Sequence, residues 1–162
     1  MSPIDYITLM NAHYQSQGFS PYRWSVYETS PWTPLKKPLE QCRVALHTSG
    51  GVSRKDQPPF DPVSYNDLSY REIPKDTPVA DLMISDAYYD HSDADKDINC
   101  IFPIERFREL EAEEYIGKLA PMAYSGPNGR IYLRSALQQE VVPEIVAKLK
   151  QVEVDVLFLI GG

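Results

Sequence analysis

Val154-Asp155-Val156-Leu157-Phe158-Leu159-Ile160, closed by Gly161-Gly162, is the stretch whose reading decides the fold. A strand with one wet face alternates apolar and polar residues, and this one is almost wholly apolar. It therefore reads as a strand covered on both faces, as parallel strands are. Parallel neighbours need long crossovers, so helices should precede it. Val141, Val142, Ile145, Val146 and Leu149 outline such a helix, with Pro143 near its start. Before it, Lys118 to Tyr124 reads as a strand ended by Ser125-Gly126-Pro127-Asn128-Gly129. Ile104, Phe107, Leu110 and Tyr115 then mark a helical stripe, with Pro103 in its first turn and Gly117 at its close. Asp81-Leu82-Met83-Ile84-Ser85 reads as a further strand. Arg43-Val44-Ala45-Leu46-His47-Thr48 reads as the first, feeding Ser49-Gly50-Gly51.

Strands alternating with helices imply right-handed crossovers and an α/β fold. The expectation is a three-layer sandwich with a mainly parallel sheet, Rossmann-like or flavodoxin-like. Ligands bind such sheets beyond the carboxyl ends of the strands. The loops of interest are therefore 48–57, 86–99, 124–130 and whatever follows Gly162. Upstream, Ile4, Ile7, Met10 and Tyr14 share a helical face that Gly18 can end. From Phe19 to Pro38 the chain carries Tyr22, Trp24, Tyr27, Pro31, Trp32 and Pro34, which reads as an extended aromatic and proline-rich arm. The 14 prolines concentrate before residue 80, and residues 52–78 read as irregular. The organisation expected is a helix and arm over 1–38 and one α/β domain over 39–162.

The 162 residues carry a net charge of −7, which disfavours nucleic acid and anionic membranes as partners. No apolar run approaches the roughly 20 residues that span a bilayer. The N-terminus lacks a basic flank followed by an apolar run, so the expected location is cytoplasmic. The two cysteines, Cys42 and Cys100, form no CxxC pair and cannot build a four-cysteine zinc site. Both are expected to stay reduced.

The densest polar string is Tyr88-Tyr89-Asp90-His91-Ser92-Asp93-Ala94-Asp95-Lys96-Asp97-Ile98-Asn99. Asp93, Asp95 and Asp97 have the opening spacing of a calcium loop. Ile98 and Ile104 stand where its glycine and glutamate belong, so no metal is assigned. Asp97 or Asn99 can cap the following helix. A histidine between carboxylates is a plausible proton donor, which makes Asp90, His91 and Asp93 the candidate catalytic residues. Gly50 and Gly51 would let a ligand approach the backbone. Arg54 could clamp a carboxylate, and Tyr89 and Asn99 complete the candidate substrate-binding set. Cys100 precedes a helix start, where a thiol can become more acidic. His47, inside the first strand, reads as a satisfied core histidine, and His13 as a surface one. Spacing alone gives no complete catalytic set and no nucleotide or cofactor motif.

Several segments resemble the selenoprotein B family of the glycine/sarcosine/betaine/D-proline reductases. They are Val44 to Val52, Gln57-Pro58-Pro59-Phe60-Asp61, Ser69-Tyr70-Arg71-Glu72-Ile73-Pro74, the run from Tyr89 to Pro103, Gly117-Lys118-Leu119-Ala120-Pro121 and the closing strand. The resemblance spans about residues 31–162. It implies an oxidoreductase subunit that reductively cleaves a C–N bond of a small amino acid or betaine, working with partner reductase subunits. A pyruvoyl-bearing partner is typical of the larger systems. In the family a selenocysteine or cysteine follows the strand that matches Val154 to Gly162, so the redox nucleophile is expected just beyond Gly162, after a UGA codon read as stop. This chain alone should then be inactive and should expose an apolar flank beside its last strand, a surface able to drive homo-oligomerisation. Ser125 to Gly129 departs from the aromatic, methionine and glycine string expected after Tyr124. Two other readings stay open: a non-catalytic small-molecule-binding or scaffold subunit of the same fold, and an unrelated α/β enzyme pairing Cys100 with His91.

Overall fold

A computed structural model describes residues 5–21, 26–87, 89–129 and 131–161. Ile4, Tyr22, Trp24, Tyr88 and Gly162 lie outside the described residues. The chain divides into two compact units, Met1–Pro34 and Leu35–Gly162. In the first, helix α1 (Tyr6–Ser16) starts at Asp5, whose carboxylate accepts from the Thr8 amide at 3.2 Å. Gly18, at φ +89°, takes the left-handed turn after it. Residues 26–34 form no regular element.

The second unit is mixed α/β. Strand β1 (Arg43–Thr48) is its axis. It pairs in parallel with β5 (Lys118–Leu119) and β6 (Met122–Ser125) on one side, and with β7 (Val156–Ile160) on the other. β5 and β6 are one strand direction interrupted at Ala120-Pro121, where proline cannot donate to a ladder. Outside β6 lies β3 (Arg71–Pro74), antiparallel. β2 (Val52–Arg54) and β4 (Leu82–Ile84) form a separate antiparallel ribbon. The sheet is therefore mixed, and the segment expected as its second strand is not in it. The stretch 52–78 also holds two strands that its sequence does not announce. Each has three or four residues and no alternation, and each exists only through pairing with distant chain.

Alternation along β1 sorts the core. Val44 and Leu46 join Ile104, Phe107 and Leu110 of α2 (Ile104–Ala112) in one cluster. Ala45 joins Tyr124, Ile145 and Leu149 in another, the last two from α4 (Val142–Gln151). Fully burying one such side chain stabilises the fold by about 1.5–3 kcal/mol. α4 is entered from α3 (Arg134–Ala136) through a π-helical turn, Leu137–Val141, and Pro143 sits in its first turn as expected. α2 stops at Ala112, short of Gly117. Tyr115 is therefore 64% exposed rather than part of the apolar stripe.

β7 departs most from expectation. Asp155 fixes its register: it accepts from the Arg43 amide at 2.7 Å and pairs with Lys37 at 2.7 Å. Yet among the described residues no strand lies on its other side. Phe158 is 46% and Leu159 66% exposed. The apolar flank anticipated beside the last strand is present.

Candidate functional site

Three parallel strands end together. Thr48, the last residue of β1, accepts from the Gly126 amide just past β6 at 2.8 Å. The next residue, Ser49, donates its amide to Ile160 O at the end of β7, at 3.0 Å. The turn Ser49-Gly50-Gly51 thus gathers the carboxyl ends of β1, β6 and β7.

Both glycines in this turn are demanded by the protein's own packing. A Cβ on Gly50 would lie 2.2 Å from Ile101 Cγ1. Gly51 has φ +67°, and its Cβ would lie 2.7 Å from Ser85 O and 2.9 Å from Asn128 Nδ2. A side chain at either position would meet these neighbours.

Tyr89 brings the acidic loop to the same place. Its hydroxyl donates to Gly50 O at 2.9 Å. Burial, with Asp86 and Asp95 nearby, pushes the phenol up to about 12, so it remains a neutral donor. The His91 ring meets Tyr89 edge-on at 5.7 Å, and His91 Nδ1 pairs with Asp95 Oδ2 at 2.9 Å. Asp90 accepts from the Ser92 amide at 3.0 Å; bonds from Ser92 hold its carboxyl below the usual range. Asp93 is highly exposed and pairs with Lys96 at 2.8 Å. Tyr89, His91 and Gly50 are therefore assembled at the strand ends.

Arg54 and Asn99 have other duties. Arg54 forms a two-pronged pair with Asp56 through Nε and Nη2. Asn99 accepts from the Glu105 amide at 3.2 Å and donates to Asp97 Oδ1 and Glu105 Oε2 at 2.8 Å each, which caps α2. Cys100 is exposed, and Cys42 is buried.

Sequence reasoning missed four residues here. His47 lies opposite Tyr124 and Leu159 in the sheet. Its Nε2 is 2.7 Å from Gly126 O. A carbonyl only accepts, so Nε2 carries the proton and Nδ1 keeps a lone pair, with no partner among the described residues. Burial holds its pKa below the usual value, so the ring is neutral near pH 7. Asn128 donates to Asp86 at 2.9 Å, and both are buried. Ser125 is fully buried, and its Oγ has no hydrogen-bond partner among the described residues. A buried polar atom without a partner is uncommon. The signal in the sequence was the segment 125–129 itself, the one that departs from the family string.

A cavity of about 650 Å³ lies elsewhere, along β3 and α4. Tyr70 donates to Glu144 at 2.5 Å and Lys148 to Glu72 at 2.5 Å. Its polar groups bind one another and lock β3 to the helix. Among the described residues no three His, Cys, Asp or Glu gather to hold a metal ion. Among the described residues no helix is long and apolar enough to cross a membrane.

Comparison with known proteins agrees with the resemblance seen in the sequence. The family model for glycine/sarcosine/betaine reductase selenoprotein B matches residues 19–161. The chain is 40% identical over 133 residues to the D-proline reductase subunit gamma of Acetoanaerobium sticklandii, covering 81% of this chain and 53% of that one. It is 30% identical over 150 residues to the glycine reductase complex component B subunit gamma of Symbiobacterium thermophilum, covering 85% and 32%. It is 31% identical over 105 residues to the sarcosine reductase complex component B subunit beta of Peptoclostridium acidaminophilum, covering 61% and 23%. The chain thus spans about half the length of the first relative and less of the others. No solved structure matches. With nearly the whole second unit inside the matched range, the chain belongs to the glycine/sarcosine/betaine reductase selenoprotein B family.

Proposed function

We propose that this chain is part of a subunit of a multi-component reductase, and that the subunit cleaves a C–N bond of a small amino acid or betaine. The observation that carries the proposal is the 40% likeness to a D-proline reductase subunit over 81% of the chain. The weaker likeness to glycine and sarcosine reductase components makes D-proline the first substrate to try.

The chemistry needs a soft nucleophile, an acid for the departing nitrogen and a source of two electrons. The nucleophile is a selenocysteine or cysteine supplied by the polypeptide after Gly162. A selenolate is ionised at neutral pH and attacks without a neighbouring base. Its electron pair forms the new bond to carbon, the C–N pair leaves with nitrogen, and nitrogen takes up a proton. A thiolate of the partner subunits then attacks the chalcogen: the bonding pair leaves with carbon, which takes up a proton, and a second thiol displaces the original nucleophile as the dithiol closes to a disulfide, supplying the two electrons. A nucleophile following β7 would emerge beside Ser49, close to Tyr89 and His91. In this proposal His91, oriented by Asp95, supplies the proton, with Asp90 beside it. Tyr89 and the Gly50-Gly51 turn shape the crevice. Arg54, Asp93 and Asn99 keep the loops in place rather than touching substrate. Helices covering both faces of the parallel strands, and a cytoplasmic location, belong to the same proposal.

The test is to read the codon after Gly162, express the full polypeptide with its partner subunits, and supply D-proline, glycine, sarcosine or betaine with a dithiol. Turnover of one substrate, with one dithiol oxidised per C–N bond broken, supports the proposal. A UAA or UAG codon there, or no substrate consumed by the assembled complex, removes it.

A further inference from the structure

The ribbon β2–β4 has one open side. Lys55 N donates to Asp81 O at 2.8 Å, Ser85 N donates to Gly51 O at 2.9 Å, and Ser53 lies opposite Met83. Bonded pairs alternate along an antiparallel ladder, so residues 81, 83 and 85 face β2. The backbone groups of Leu82 and Ile84 therefore face away. The Leu82 amide is satisfied by Val79 O. The N–H and C=O of Ile84 have no hydrogen-bond partner among the described residues.

Beside that edge lies a cavity of about 410 Å³. Its floor is apolar, because Val79, Ile84 and Ile98 pack on the main core cluster. Its rim carries Asp95, Asp97 and Glu105 with one lining cation, Lys96; Asp95 also pairs with His91, and Lys96 with Asp93. The Asp97 carboxyl is held below its usual pKa by Asn99, so it stays charged at neutral pH. An open strand edge beside an apolar groove is a template for strand addition. The acidic rim and the net charge of −7 disfavour a second copy of this chain as the occupant.

We propose that the outer edge of β4 is a docking site for an extended, basic segment of a partner polypeptide. The segment adds as a third strand, bonds both backbone groups of Ile84, lays an apolar side chain between Val79 and Ile98, and sets a lysine or arginine against the acidic rim. This inference stands apart from the reductase proposal and survives its failure.

The test titrates the 15N-labelled chain with an acetylated, amidated octapeptide of alternating lysine and valine. A second titration uses the same peptide N-methylated at every other residue, which keeps its charge and removes the bonding N–H groups. The expected result is binding at least about tenfold weaker for the methylated peptide, shifts confined to residues 79–84 and 94–98, and slowed exchange of the Ile84 amide. Ile84→Pro removes the outward N–H and should weaken binding similarly; if that variant does not fold, the methylated peptide still decides. Asp95→Asn should also weaken binding, and added salt should do the same. Equal affinity for the two peptides, shifts scattered over the acidic surface, no Ile84 protection or no binding at all would each overturn the proposal.

Discussion

Burial and one carbonyl set the state of His47. The ring gives its Nε2 proton to Gly126 O, and burial holds its pKa below the ordinary value, so the folded protein favours the neutral form. The unfolded chain has no such preference and titrates near 6.5. As pH falls below about 6.5, the unfolded state binds a proton that the folded state resists, and stability drops with pH. Above that range neither state is charged and the effect vanishes. His47→Gln can still donate to Gly126 O but cannot titrate. Urea unfolding at about pH 7.5 and about pH 5.5, roughly one unit either side of the ordinary histidine pKa, should therefore show the native chain losing more stability on acidification than the variant. Equal losses would mean that His47 is not held neutral. Neither neighbour at this level of the sheet is charged by the fold: Tyr124 is a phenol whose pKa burial raises, and Leu159 is apolar.

At the scale of elements, Asn99 organises the start of α2, the capping role that the sequence offered for it. It binds the second amide of α2 and two carboxylates, Asp97 and Glu105. Asn99→Ala should cost about 1 kcal/mol, as loss of a cap does, and should leave β1 untouched. Hydrogen exchange would show faster opening at residues 104–107 with no change at 43–48; uniform acceleration would argue against a local role. What the sequence made legible follows the same logic. β1, β7, α2 and α4 carry their own periodicity and were readable. β2 and β3 were not, since Val52-Ser53-Arg54 and Arg71-Glu72-Ile73-Pro74 have no pattern until Leu82–Ile84 and Met122–Ser125 arrive to pair with them. Within the site, the Tyr89–His91 string was visible because it is dense in polar residues. His47, Asp86, Asn128 and Ser125 were not, because single polar residues become notable only once the fold buries them.

At the scale of the whole molecule, β7 joins two opposing tendencies. It is an edge strand among the described residues, with Leu157 and Leu159 on the face shared by Ala45 and His47. Phe158 lies on the other face, 5.1 Å from the Phe107 ring. Val142 and Val146 of α4 are also exposed. Apolar surface beside an unpaired edge favours association. Against it stands the net charge of −7, whose repulsion salt screens over a length of about 10 Å at 0.1 M and about 3 Å at 1 M. Self-association of this 162-residue chain should therefore grow with ionic strength, the reverse of what an ion-paired interface would do. Leu157→Lys combined with Leu159→Lys places two cations on the strand where lysine is the usual guard of an edge. That variant should remain monomeric in sedimentation velocity at high salt, with an unchanged circular dichroism spectrum. If the native chain stays monomeric across the whole salt range, the β7 flank is not adhesive; if the double variant associates as strongly, the contact lies elsewhere on the surface.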